Sequence, residues 1–386
     1  MKGETMNSLE RVSAAIQLEK PDRVPIAILA TAAPFARITG ITNAEFYRNE
    51  DKALAAILKV FEDVGGWDMD LGSLTGKSIM MSKTIMTLAL GLRLAYPGMD
   101  LPDDYAYQAC EEEVLKPEDY DIIAEIGWEK FMTEDFLFRI LDITPAELTK
   151  TMNELLPIFF RGMEEWAKRG VVTMYPPTLF TCHPFFRLSL GRSMVKFTED
   201  LYYTPDIAEK ALKKITSEFI ETTINGAKIF DNKITLVVEE RAGGFFYPPK
   251  IFERFWWPYT KEIVDAMWSE GIVTWFHLDT DWGKNIHYFK QLPRGSVVLA
   301  LDGTTDIFAA KEVLRNHACL CGDVHPALLS IGKPEEVEAY CKKLIDEVGG
   351  DGGFILSSGC ELPAVIKAEN LKAMIRTGKT YELAKK

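Results

Sequence analysis

Eight short apolar runs punctuate this chain, and each is continuous where a half-buried strand would alternate. They are RVPIAI (23–28), DMDLG (68–72), GVVTMY (170–175), ITLVVEE (234–240), IVTWFHLD (272–279), SVVLALDG (296–303), ACLCGDV (318–324) and GFILSSG (353–359). A continuous apolar run of this length suits a strand buried on both faces, as in a parallel sheet covered by helices. The segments between the runs carry helical spacing instead. GKPEEVEAYCKKLIDEVGG places Val337, Cys341, Leu344, Ile345 and Val348 on one face, with Pro334 opening the helix and Gly349-Gly350 closing it. TPDIAEKALKKITSEFIETTI repeats the design, with Thr204 and Pro205 at its start and Ile207, Leu212, Ile215 and Phe219 inward. Strand and helix in alternation eight times is the signature of an α/β chain folded as a (β/α)8 TIM barrel.

One gap breaks the rhythm. Residues 73 to 169 are too many for a single crossover, and RLAYPGMDLPDDYAYQAC within them reads as extended structure and turns, followed by helices. The expectation is one barrel domain over 1–386 with an elaborated insertion at about 73–169, between strands 2 and 3. The opening MKGETMNSLERVSAAIQLEK lacks an apolar signal core and reads as a helix capped by Ser8.

Composition narrows the class of function. An apolar fraction of 47% over 386 residues is ample for one large core. A formal charge of −13 argues against nucleic acid, whose phosphates need a basic face. The most apolar run, TIMTLALGLRLAY, is interrupted by Arg93 and too short to span a membrane. Six scattered cysteines without a secretory signal read as free thiols in a reducing compartment, the cytoplasm. Oligomeric state stays open, a homodimer being one option.

The chemistry collects at the C-terminal ends of the runs, where barrels of this kind keep their sites. Those ends carry Glu239 and Glu240, His277 and Asp279, Asp302, Asp323, and then Cys360 just past SSG. An imidazole and a thiolate are good zinc ligands, and Glu239 or Glu240 would be a third. Asp279 would be a ligand or would hydrogen-bond to one, and with His277 it would act in catalysis. The alternative is a histidine bonded within a polar mouth and a small buried cysteine. Asp302 reads as a loop cap, and His325 as an exposed loop residue. CLC at 319–321 puts two thiols into one packed layer without a second pair, so it reads as core. The glycines of GDGGFILSSG lack the lysine of a phosphate loop and read as turn residues. Two aromatic, proline-rich segments, TMYPPTLFTCHPFF and FFYPPKIFERFWWPY, follow the third and fourth runs. They offer Tyr175, Phe180, His183, Tyr247 and Trp256, with Phe245 and Trp257, as walls for a flat apolar ligand, fewer than half of them touching it. Phe252 and Phe255 read as helix-face core.

These segments resemble the uroporphyrinogen decarboxylase superfamily across nearly the whole chain. ERVSAAIQLEKPDRVPIAI is similar to its entry helix and first strand. YPPKIFERFWWPYTKEIVDAM, GIVTWFHLD and GDVHPALLSIGKPEEVEAYCKKLIDEVGGDGGFILSSGCELP resemble its methyltransferase branch. The decarboxylases carry an arginine-rich segment after the first strand, whereas AILATAAPFARITG has only Arg37. The resemblance therefore implies a methyltransferase, whose zinc is held by a His-x-Cys pair and a later cysteine in a GC motif. His277 and Cys360 match the outer ligands, and Asp279 stands where the middle cysteine would be. Exchanging a thiolate for a carboxylate makes a bound zinc a stronger Lewis acid. That suits the first methyltransferases of anaerobic O-demethylase systems, which pass a methyl group from an aromatic methyl ether to the cobalt(I) of a separate corrinoid protein. The mouth would then be wide and partly apolar to admit the corrinoid. Two other readings remain: a metal-free decarboxylase or lyase with Asp279 and His277 carrying protons, and a corrinoid-to-thiol methyltransferase.

Overall fold

The computed structural model describes residues 4–72, 76–174 and 180–381. Its frame is eight parallel strands, one in each apolar run: β1 (Ala27–Ile28), β2 (Met69–Asp70), β3 (Val172–Thr173), β4 (Ile234–Glu239), β5 (Val273–Leu278), β6 (Val297–Leu301), β7 (Cys319–Val324) and β8 (Phe354–Ser358). Strands β1 to β3 form one ladder and β4 to β8 another, each in chain order. Isolated parallel bridges extend the margins: Ile26, just before β1, pairs with Leu356 of β8, and Cys182, in the segment after β3, pairs with Val238 of β4. The architecture is that of a TIM-barrel-type α/β fold.

Alternate residues of each strand enter different cores, which is why the runs had to be apolar throughout. Trp275, Val298, Ala300, Cys319, Cys321 and Ile355 share an inner cluster. Their neighbours Phe276, Leu299, Leu301, Leu320 and Leu356 join the larger cluster beneath the helices. Both thiols of the CLC segment thus serve the inner packing. The helix Pro334–Glu347 buries Val337, Cys341, Leu344 and Ile345. The helix Pro205–Phe230 buries Leu212, Ile215 and Phe219, with Ile207 partly buried beside them.

Between β2 and β3 the chain forms the helix Ile79–Leu90, an antiparallel hairpin of Arg93–Ala95 and Gln108–Cys110, and helices that end with Pro145–Lys168. Leu94, Tyr96, Trp128 and Phe136 from this stretch belong to the same large cluster as the barrel strands.

The helix Ser8–Ile16 covers the N-terminal end of the barrel, placing Val12, Ala15 and Ile16 in the inner cluster. Its cap is Asn7, one residue before the expected Ser8. The Asn7 side chain accepts from the Glu10 N–H and the Glu10 carboxylate reaches back, a reciprocal pair that satisfies two otherwise unpaired amides. Ser8 instead donates to Asp68 at 3.2 Å. Asp68 is the centre of a charge cluster at this end. It meets Arg11 at 2.8 Å and Arg23 at 2.6 Å, and accepts the Ile26 N–H at 2.9 Å. Arg11 also pairs with Asp22 at 2.7 Å. Burial opposes these charges, yet the arginines hold the Asp22 and Asp68 carboxyls below the usual range. Among the described residues no helix is long and apolar enough to cross a membrane.

Candidate metal centre and its cavity

At the opposite end, strand period decides which side chains reach the barrel mouth. Leu236, Val238 and Glu240 alternate along β4 into a cavity, as do Trp275, His277 and Asp279 along β5. Val238 pairs with His277 across the ladder, so the two polar ends come level. Glu239 falls on the other side and cannot join them. Its carboxylate is fully buried against Trp256 Nε1 at 2.7 Å and the backbone N–H groups of Arg241 and Ala242 at 2.9 and 3.1 Å. It stitches the strand end to the helix layer, which removes it from the expected ligand set.

His277, Asp279 and Cys360 converge. Each offers one ligand atom, and these atoms lie within 4.8 Å of one another. The Cys360 thiol is 3.5 Å from His277 Nε2 and 3.5 Å from Asp279 Oδ2, while His277 Nε2 is 3.1 Å from Asp279 Oδ1. Local backbone devices hold the three in place. Trp282 Nε1 donates to the Asp279 carbonyl at 2.8 Å. The next residue, Thr280, turns the chain at φ +70°, a strained conformation for a β-branched residue, with its N–H fixed on Asp302 Oδ2 at 2.8 Å. Asp302 is thus the loop cap expected of it. Gly359 precedes Cys360 because a Cβ there would overlap the Asp302 carbonyl; a side chain would push the thiol away. Asp323 bonds Tyr340 at 2.8 Å, and His325 caps the short helix after β7, exposed as expected.

The electrostatics of the triad are coupled. Burial opposes charge on His277, but Asp279 and Cys360 beside it raise its pKa well above the ordinary value. Burial likewise opposes charge on Asp279, and the imidazole holds that carboxyl low. Burial raises the Cys360 thiol, with His277 acting against it. Glu240 has no hydrogen-bonding or ion-pair partner for its carboxylate among the described residues. Burial, then the Asp279 charge, push it up to about 7.

A metal fits this group. The donor set is one imidazole nitrogen, one sulfur and one carboxylate, the mixture zinc accepts. Asp279 Oδ1 is buried and accepts no aligned hydrogen bond despite the neighbouring imidazole. A buried acceptor left this way is costly, and a cation would satisfy it.

The cavity measures about 400 Å³. Its walls differ from the expected aromatic cleft. His183 is fully buried, bonded to Thr260 at 3.1 Å and to the Phe185 N–H at 3.2 Å. Tyr247 bonds Thr198 at 2.7 Å, and Trp256 serves Glu239. Phe180 packs under the Arg187 guanidinium, 5.3 Å from the ring centroid. None of these four lines the cavity: His183, Tyr247 and Trp256 turn their polar atoms to partners in the wall behind it, and Phe180 packs on a guanidinium. Phe245 is 66% exposed and Trp257 is core. Tyr175 lies outside the described residues. The aromatic lining is instead Tyr47, Tyr96, Tyr107 and Trp275. The tyrosines pack in sequence, with centroids 4.9 Å and then 5.9 Å apart.

Glu361 also lines the cavity and was not singled out from the sequence. Its carboxylate accepts from Thr31 Oγ1 at 3.1 Å and Tyr107 Oη at 3.4 Å, and burial raises its pKa. Its position directly after Cys360 was the available signal.

Known proteins resemble this chain in sequence and in fold. The uroporphyrinogen decarboxylase (URO-D) family profile matches residues 188–381, which span β4 to β8 and the whole triad. A methylcobamide:CoM methyltransferase, MtbA, from Methanosarcina mazei is 33% identical over 144 residues, 37% of this chain and 39% of that protein. MtbA from Methanosarcina acetivorans is 31% identical over the same shares. A uroporphyrinogen decarboxylase from Christiangramia forsetii is 25% identical over 47% of this chain and 50% of its own length. The chain therefore spans 39 to 50% of the length of these curated relatives. A solved structure of a methyltransferase from Methanosarcina mazei superposes with a TM-score of 0.68 at 16% identity, covering 97% of this chain and 99% of that one. At that identity the likeness concerns the fold.

Proposed function

The chain belongs to the uroporphyrinogen decarboxylase (URO-D) family, and on that premise we propose that it is a zinc-dependent methyltransferase moving a methyl group from a small methylated donor, an aromatic methyl ether, to the cobalt(I) of a corrinoid carried by a partner protein. The observation that carries this reading is the His277, Asp279 and Cys360 triad at the wall of a cavity otherwise lined by apolar and aromatic side chains. Two relatives named as methylcobamide methyltransferases support the corrinoid partner. The protein would work in the cytoplasm of an anaerobic metabolism.

His277, Asp279 and Cys360 would hold the zinc, which when bound supplies a Lewis acid for the oxygen of the departing group. The chain's own residues account for the rest. Trp275 and the tyrosines orient the ring and exclude water. Glu240 faces the same cavity, its pKa pushed up to about 7 by burial and then by the Asp279 charge. The C–O bond breaks with its electron pair left on oxygen, and the cobalt(I) pair forms the new C–Co bond. Phe245 and Phe246, exposed in the loop after β4, support an apolar rim for the corrinoid.

A second reading, methyl transfer from corrinoid to a thiol, is favoured by the names of the two Methanosarcina relatives described above. The decarboxylase reading finds less support, because no lysine or arginine lines the cavity among the described residues, and a polycarboxylate would have no partner. Elemental analysis of anaerobically purified, zinc-reconstituted protein tests the proposal, with His277→Ala and Cys360→Ala alongside. The expected result is about one zinc per chain, lost in both variants, and methylation of cob(I)alamin by an aryl methyl ether. A wild type that holds no zinc sinks the proposal. Transfer only from methylcobalamin to thiols would establish the second reading instead.

A further inference from the structure

The charge of the cavity is one-sided. Glu240, Asp279, Cys360 and Glu361 line it, His277 is the single basic group, and neither lysine nor arginine reaches it among the described residues. Arg241, the nearest guanidinium in sequence, is turned away to Glu111 at 2.8 Å and to Ser189. Counting a divalent metal against Asp279 and the Cys360 thiolate leaves Glu240 and Glu361 without a counter-charge. Among the described residues Glu240 has no hydrogen-bond partner, and Glu361 uses two of its roughly four acceptor positions, on Thr31 and Tyr107. A carboxylate removed from water is stable only when paired.

A separate observation also points to a missing polar ligand. Ser82, on the helix Ile79–Leu90, lines the cavity at 7% exposure, and its Oγ has no hydrogen-bond partner. Tyr47, Tyr96 and Tyr107 line the same cavity, and aromatic rings are groups beside which cations are favoured.

We infer that the small molecule this cavity takes carries a positive charge: a methylated donor with an ammonium group held by Glu361 and Glu240 against the tyrosine wall. The inference rests on the proposed reading only in placing the transferable methyl group at the His277 cluster. It makes Glu361 a specificity-determining residue, which favours cationic donors and rejects anionic ones of the same shape.

Three matched probes test it: 4-methoxybenzylamine, 4-methoxytoluene and 4-methoxybenzoate share ring and methoxy group and differ in charge. Their binding is measured by titration calorimetry on the zinc-loaded full chain, without any corrinoid. The benzylamine should bind about ten-fold tighter than the toluene, with the benzoate weakest. Glu361→Gln should narrow the gap between the amine and the benzoate, and Glu240→Gln gives an independent check if the first variant folds poorly. Equal affinities, a preference for the benzoate, or no binding of any probe by the wild type overturns the inference. Because no methyl transfer is read, the two ideas fail separately. The charge order can hold while transfer to cob(I)alamin is absent, and transfer can occur while the benzoate is preferred.

Discussion

Asp68 and Asp279 sit at opposite ends of the same barrel and are treated in opposite ways. Asp68, below the start of β2, is met by Arg11 and Arg23 and by the Ile26 N–H, so both oxygens are engaged. Asp279, past the end of β5, leaves Oδ1 buried with no aligned donor, beside a thiol and in the same cavity as Glu240, a second carboxylate with no partner among the described residues. One end closes its charges on one another and the other holds them open. In barrels of this type the N-terminal face serves stability and the C-terminal face serves chemistry, and the pairing pattern makes that division visible in one chain.

The same substitution at both ends would break the comparison most sharply. Asp279→Asn should lower methyl transfer by about a thousand-fold or more and weaken zinc binding, because the ligand loses its charge. Asp68→Asn should do the reverse. It leaves two buried guanidinium groups short of charge, so unfolding free energy should fall by about 3 kcal/mol or more, with zinc content of the folded fraction unchanged. If Asp68→Asn instead removed the metal, the two ends would be coupled and the division false.

Proton linkage sharpens the contrast. The folded-state pKa values of Asp22 and Asp68 are depressed, so their contribution is present above the unfolded value near 3.8 and disappears as pH falls through the lower folded values. Glu240 has the opposite sign. Its folded value of about 7 exceeds the unfolded 4.5, so a penalty grows as pH rises between the two and is complete above about 7. In chelator-treated protein, Glu240→Gln should therefore gain stability over wild type on going from about pH 4.5 to 7, on the order of 2 kcal/mol. A difference independent of pH would mean that the carboxyl is not held as described. The smallest effect belongs to the covering helix. Asn7→Ala should cost about 1 kcal/mol in a thermal or urea melt and leave metal binding untouched, whereas Ser8→Ala should cost less.

Much of this was legible from residues alone, for identifiable reasons. Each of the eight strands lies within an apolar run, because a strand packed on both sides has no polar position to spare. His277, Asp279 and Cys360 were legible as reactive groups at strand ends. Glu239 and Glu240 were not separable by eye, although counting two residues at a time from Leu236 through Val238 selects Glu240. The aromatic wall failed for a different reason. His183, Tyr247 and Trp256 follow strand ends just as wall residues would, but each has a polar atom satisfied in the helix layer, and only the packing reveals that partner. Tyr47, Tyr96 and Tyr107 come from segments with no periodic mark at all.

The order of strands and the identity of the candidate ligand atoms were thus determined by the sequence, since burial on two faces and ligand chemistry are properties that residues carry with them. Which carboxylate faces the cavity, which rings line it, and that no arginine or lysine among the described residues answers its acids were decided only by the tertiary structure. Those depend on distances between residues remote in the chain, such as Thr31 and Glu361, which no local pattern records.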